Sequence, residues 1–163
     1  MTVVMYKLAK PVNFACEFKN IINMGKFRKL SHVYYKCEYH IVFVPKYRYR
    51  ILTGLVKTLV EHDVASISSW KEVEVQELNV QSNHVHLVCS IPPKISISDY
   101  MGILKGKLAI KLFKSYPDLK KKPYWGNHFW TRGYFISTIG LDADMIKRYV
   151  RHQEEEDKKD ENG

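Results

Sequence analysis

Two short patterns in this chain carry side chains able to do chemistry. The first is His84-Val85-His86. In an extended segment, side chains at i and i+2 project from one face. Two imidazoles then stand together, while Val85, Leu87 and Cys89 turn the other way into apolar packing. Neighbouring neutral imidazoles are ready ligands for Mn, Zn, Fe, Ni or a similar ion. An isolated His-x-His pair is equally compatible with one core histidine and one solvated histidine, so it needs a further ligand and a reactive group. The second pattern is Tyr149-Val150-Arg151-His152-Gln153. On a helix, Tyr149 and Gln153 are four residues apart and share a face, with Arg148, Arg151 and His152 around them. A phenol titrates near pH ~10, and nearby cations favour the phenolate and make it a better nucleophile. A neutral Gln153 ligand leaves an ion's charge available to a substrate. The plain alternative is a Tyr149 ring packed on a sheet and a solvated Gln153.

Charge narrows the class of substrate. The 163 residues carry a formal net charge of +9. The last 13 residues, from Arg151 on, hold six acidic and three basic side chains, a net of −3, so the rest carries +12. Such a surface favours a polyanion, most commonly nucleic acid. Lys105, Lys107, Lys111 and Lys120-Lys121-Lys122 are candidate phosphate contacts. Tyr124, Trp125, Phe129 and Trp130 are candidates for stacking on unpaired bases, although Phe129 and Trp130 also suit a core. Arg132 lies beside them. With a phosphodiester as substrate, attack by Tyr149 leaves a 5′-phosphate on the tyrosine. The phosphoester bond is conserved, so a later hydroxyl reseals the strand with no nucleotide cofactor.

Other classes are disfavoured. No stretch approaches the ~18 consecutive apolar residues of a membrane span, and residues 1–23 lack the features of a signal peptide. Cys16, Cys37 and Cys89 are odd in number and have no CxxC spacing, which speaks against a disulfide framework or a zinc ribbon and fits a reducing cytoplasm.

The elements that must position these groups follow from pattern. Residues 1–23 read as an extension, ahead of Met24-Gly25-Lys26. Val33–Val44 is rich in β-branched and aromatic residues and reads as one strand, stopped by Pro45. Leu52, Leu55, Val56, Leu59 and Val60 make a helical stripe within residues 51–69. Lys71–Val80 alternates as a half-buried strand with a bulge near Glu77. Gln81-Ser82-Asn83 turns the chain into a strand over His84–Ile91, ended by Pro92-Pro93. Ser96 or Ser98 caps a helix that runs to about Tyr116 and presents Met101, Leu104, Leu108, Leu112 and Phe113 on one face. Residues 118–127 form a basic loop, and His128–Ile139 is a short strand pair or extended segment. Asp142 caps a last helix over Ala143–Glu155. The order β-α-β-β-α-β-α predicts an α+β domain: an antiparallel sheet with helices packed on it, in a split βαβ, RRM-like or ferredoxin-like arrangement. The domain is expected over residues 24–157, with a charged tail at 158–163.

Several stretches together resemble one family. His84-Val85-His86, followed by Leu87-Val88-Cys89-Ser90-Ile91-Pro92-Pro93, resembles the HUH signature of single-tyrosine, TnpA-type transposases, from insertion sequences that move as single-stranded DNA. Tyr39–Arg48, Met101–Lys107, Phe129–Phe135 and Tyr149–Gln153 look like further motifs of that family, in its order, over roughly residues 26–157. The resemblance implies a catalytic Tyr149 and a divalent ion, Mg or Mn, bound by His84, His86 and Gln153. It also implies a homodimer with a swapped tyrosine helix, and single-stranded DNA hairpins near element ends as targets. Many relatives carry an acidic residue where Asn83 stands. The alternatives are a domesticated relative acting on genomic repeated palindromes, a non-catalytic nucleic-acid-binding module, and a metal-dependent phosphohydrolase without a covalent intermediate.

Overall fold

The structure is a computed structural model and describes residues 27–121 and 128–139. The chain divides into two units at Lys36. In the first, β1 (Arg28–Leu30) and β2 (Val33–Tyr35) form a two-stranded antiparallel ribbon. In the second, β3 (Glu38–Phe43), β4 (Glu74–Val80), β5 (Val85–Ser90) and β6 (Phe135–Thr138) form an antiparallel sheet in the order β4-β5-β3-β6. With α1 (Gly54–Trp70) and α2 (Ile97–Ser115) inserted after β3 and β5, this is the expected split βαβ arrangement. The single strand expected over Val33–Val44 is two strands, β2 and β3, which belong to different units. A run of β-forming residues records propensity, not which partner each half finds.

Side-chain alternation on the two central strands decides the layers. Ile41 and Phe43 on β3, and Val85, Leu87 and Cys89 on β5, are buried with Val60 and Val64 of α1 and Tyr100, Met101, Leu104, Leu108 and Leu112 of α2. Each such side chain contributes about 1.5–3 kcal/mol by leaving water. The helices therefore cover this face of the sheet. His40, Val42 and His86 stand on the other.

Local chemistry sets the ends of the helices. Gly54, at φ +52°, allows the sharp entry from extended Thr53 into α1. Ser68 Oγ donates back to the Val64 carbonyl and also meets the Tyr100 hydroxyl at 2.7 Å, so its hydroxyl is satisfied inside the core, and the helix runs through the serine-rich end to Trp70. Glu72 then takes a left-handed conformation, φ 58°, and turns the chain into β4. The stripe expected on α1 is only partly core: Val60 is buried, but Leu55 is 74% exposed, because it falls in the first turn. Ser96 caps α2 by accepting from the Asp99 N–H at 3.0 Å. The β4–β5 register shifts between Val75 and Glu77, the expected bulge. Within His128–Ile139 only Phe135–Thr138 is a strand, and Trp130 makes an isolated bridge to Pro45. No helix among the described residues is long and apolar enough to cross a membrane.

Candidate active site

β5 does what its alternation predicts. Val85, Leu87 and Cys89 are fully buried, and His84 and His86 look out from the opposite face, where Val88 and Ser90 farther along the strand are buried as well. Their rings lie 4.8 Å apart between centroids, at 78° to each other. They open on a cleft of ≈ 690 Å³ whose lining includes His40, Arg48, Thr131, Gly133, Tyr134 and Phe135. Burial, reinforced by His84 and His40, holds the His86 imidazole down to about 4. Its ring is therefore neutral near pH 7, the form that binds a metal. His84 Nδ1 lies 2.5 Å from the Asn83 side-chain oxygen. That oxygen only accepts, so Nδ1 carries the proton of this contact, and Nε2 is the nitrogen turned away from Asn83.

The sequence reading missed a third histidine. His40 on β3 is one diagonal step from His86, since Val42 is the residue directly opposite His86. His40 Nε2 and His86 Nδ1 are 2.9 Å apart. Burial also lowers the His40 pKa. The signal was present in Tyr39-His40-Ile41, an alternating segment, but only strand pairing brings His40 to the histidine pair. Arg48 was also missed. It lines the cleft from a turn in which both Tyr47 (φ 61°) and Arg48 (φ 52°) are left-handed. Left-handed backbone at non-glycine residues costs energy and recurs at functional sites.

Among the described residues no set of three or more His, Cys, Asp or Glu side chains forms a metal site by itself. His40 turns its near nitrogen to His86, not to a shared point, so two imidazoles remain as donors. The donor chemistry fits a divalent ion that takes a third ligand from elsewhere. Gln153 and Tyr149, and Arg148 and Arg151 with them, lie outside the described residues.

The basic candidates divide. Lys105 Nζ donates to the carbonyls of Thr131 at 2.6 Å, Arg132 at 2.9 Å and Gly133 at 3.3 Å. It therefore ties down the strand of chain that walls the histidine cleft. Lys111 pairs at 2.5 Å with Asp63, whose side chain is 4% exposed. Lys107 lies over the exposed Trp70 ring, 4.8 Å from its centroid. Arg132 is exposed. Phe129 and Trp130 are both core, and Tyr124 and Trp125 lie outside the described residues.

Comparison with known proteins agrees with this fold and shows the family. The family model for the IS200-like transposases matches residues 33–153. The transposase for insertion sequence element IS200 of Salmonella typhimurium is 41% identical over 135 residues, 83% of this chain and 88% of that protein. The ISDra2 transposase TnpA of Deinococcus radiodurans is 33% identical over 124 residues, 76% and 88% of the two chains. A crystal structure of a D. radiodurans protein described as a transposase superposes with a TM-score of 0.65 at 30% identity, covering 77% of this chain and 97% of that one. A REP-associated tyrosine transposase bound to a REP hairpin superposes with a TM-score of 0.53 at 13% identity, covering 76% and 70%, a likeness of fold. With the family model spanning most of the chain and close relatives matched over most of their own length, this chain belongs to the IS200-like transposase family and is a transposase.

Proposed function

We propose that this transposase cuts and rejoins single-stranded DNA at insertion-sequence ends through a 5′-phosphotyrosine on Tyr149, with Mg or Mn held by His84, His86 and Gln153. The observation that carries the reading is the pair of imidazoles, His84 and His86, that open on one cleft beside Arg48. The phenolate of Tyr149 attacks the scissile phosphorus, the P–O3′ bond breaks, and the freed 3′-oxygen takes a proton. A strand bearing a 3′-hydroxyl later reverses the chemistry on the same phosphorus, which restores the phenol. Arg148 and Arg151, near Tyr149 in sequence, favour its phenolate. A bound divalent ion supplies Lewis-acid polarisation of the phosphate and a template for it. Arg48 is placed to meet phosphate charge in the cleft. Hairpin DNA is the expected target, in keeping with the hairpin held by the REP-associated relative of like fold. We also propose that the enzyme works as a homodimer in which the tyrosine helix completes the partner's site.

The test is a labelled single strand carrying a hairpin from the element's own ends, incubated with the protein and Mn²⁺. A protein–DNA adduct that survives denaturation is expected from wild type and absent from Tyr149→Phe. His84→Ala and His86→Ala are expected to lose it as well. An adduct from Tyr149→Phe would overturn the nucleophile assignment. Loss with both histidine variants, but only in protein shown to be folded, separates site chemistry from stability.

A further inference from the structure

We propose that His40 is a positioning residue that fixes the tautomer and orientation of His86: His86 Nδ1–H donates to His40 Nε2, which leaves the His86 Nε2 lone pair for the metal. The inference rests on the reading that His84 and His86 hold the ion.

The planes of the His40 and His86 rings differ by 3°, their centroids are 5.2 Å apart, and the facing nitrogens are 2.9 Å apart. With ring bonds of about 1.33 Å, each imidazole atom sits about 1.1 Å from its centroid. For a 2.9 Å nitrogen–nitrogen contact, 5.2 Å is then close to the largest centroid separation geometry permits. That limit is reached only when both nitrogens lie on the line joining the centroids. The rings are thus edge to edge and nearly coplanar, not face to face. An imidazole N–H and an imidazole lone pair both point radially in the ring plane, so this is an in-line N–H···N hydrogen bond.

Two neutral rings share one proton on that line, and its owner decides what His86 can do. If His40 donates, His86 accepts at Nδ1 and carries its own proton on Nε2, where it cannot ligate. If His86 donates, its Nε2 lone pair is exposed to the cleft. Asn83 imposes the same tautomer on His84, through Nδ1 and a side-chain oxygen. Both members of the pair are then set alike by an acceptor behind the ring, the arrangement that orients metal-bound histidines generally. His40 reaches its place from another strand, 46 residues away in sequence, so β3 pairing with β5 is what builds the ligand.

The experiment uses the full chain and two variants. His40→Phe keeps a flat ring but removes the acceptor. His40→Gln restores an acceptor oxygen near the position of Nε2. In metal-free protein, long-range ¹H–¹⁵N NMR of the histidine rings is expected to place the His86 proton on Nδ1 in wild type and in His40→Gln, and to lose that preference in His40→Phe. Mn²⁺ titrations followed by electron paramagnetic resonance are expected to show affinity about 10–100-fold weaker in His40→Phe, with much of it recovered in His40→Gln. A wild-type spectrum with the proton on His86 Nε2 overturns the proposal, whether or not the variants fold. So does Mn²⁺ affinity within twofold of wild type in a folded His40→Phe. Should the wild-type tautomer be as expected while wild type takes up no Mn²⁺, the metal reading fails and the hydrogen-bond assignment stands.

Discussion

Replacing Lys105 by methionine separates two roles that sequence could not. An ammonium has three N–H donors, and Lys105 Nζ lies within 2.6–3.3 Å of three consecutive carbonyls, those of Thr131, Arg132 and Gly133. Methionine keeps the stem and removes every donor. Hydrogen bonds from a charged group are each worth about 1.5–3 kcal/mol net. Two of these are short and the third is long. The desolvation that lowers the lysine's pKa and its remaining solvent contact both reduce the gain, so about 2 kcal/mol is a reasonable total. For a chain of this size that is a fall in Tm of about 4–8 °C. Because Thr131 and Gly133 line the histidine cleft, Mn²⁺ affinity and adduct formation are expected to fall with stability. Urea denaturation and DNA binding across a salt series measure the two effects. If Lys105→Met unfolds within about 0.5 kcal/mol of wild type, and instead lowers the salt dependence of DNA binding by about one phosphate contact, Lys105 is a phosphate contact and not a buttress of residues 131–133.

Three further outcomes are expected. Asn83→Asp replaces a neutral acceptor by a carboxylate behind His84, raising the imidazole's basicity and adding negative charge near the site, so Mn²⁺ is expected to bind several-fold more tightly in the same titration; weaker binding would contradict the assigned Asn83 contact. Among the described residues, Lys111→Met leaves the buried Asp63 carboxylate with the exposed His62 ring at 3.0 Å as its side-chain partner, and the half-exposed lysine scales the usual buried-pair loss down to about 2 kcal/mol, readable as a lower urea midpoint. Burial pushes the Cys89 thiol up to about 12, so at pH 8 only about one thiol in ten thousand is ionised; iodoacetamide followed by peptide mass spectrometry should leave Cys89 unmodified in native protein and label it after denaturation.

What the sequence determined by itself was local. Period-two alternation put Val85, Leu87 and Cys89 on one face and the histidines on the other, because a strand's side chains alternate whatever it packs against. The capping serine before α2 and the bulge in β4 were legible for the same reason: each is a short-range hydrogen-bonding or spacing rule. What depended on distant partners was not legible. The split of residues 33–44 into two strands of separate units, and the outward turn of Leu55, follow from packing partners that no period names. His40 meeting His86, Lys105 tying down residues 131–133 and Lys111 neutralising Asp63 span 46, 26 to 28 and 48 residues of chain. Such pairs exist only once sheet order and helix crossing are set, and it was that tertiary step which turned two basic candidates into structural ties and an unremarked histidine into part of the site.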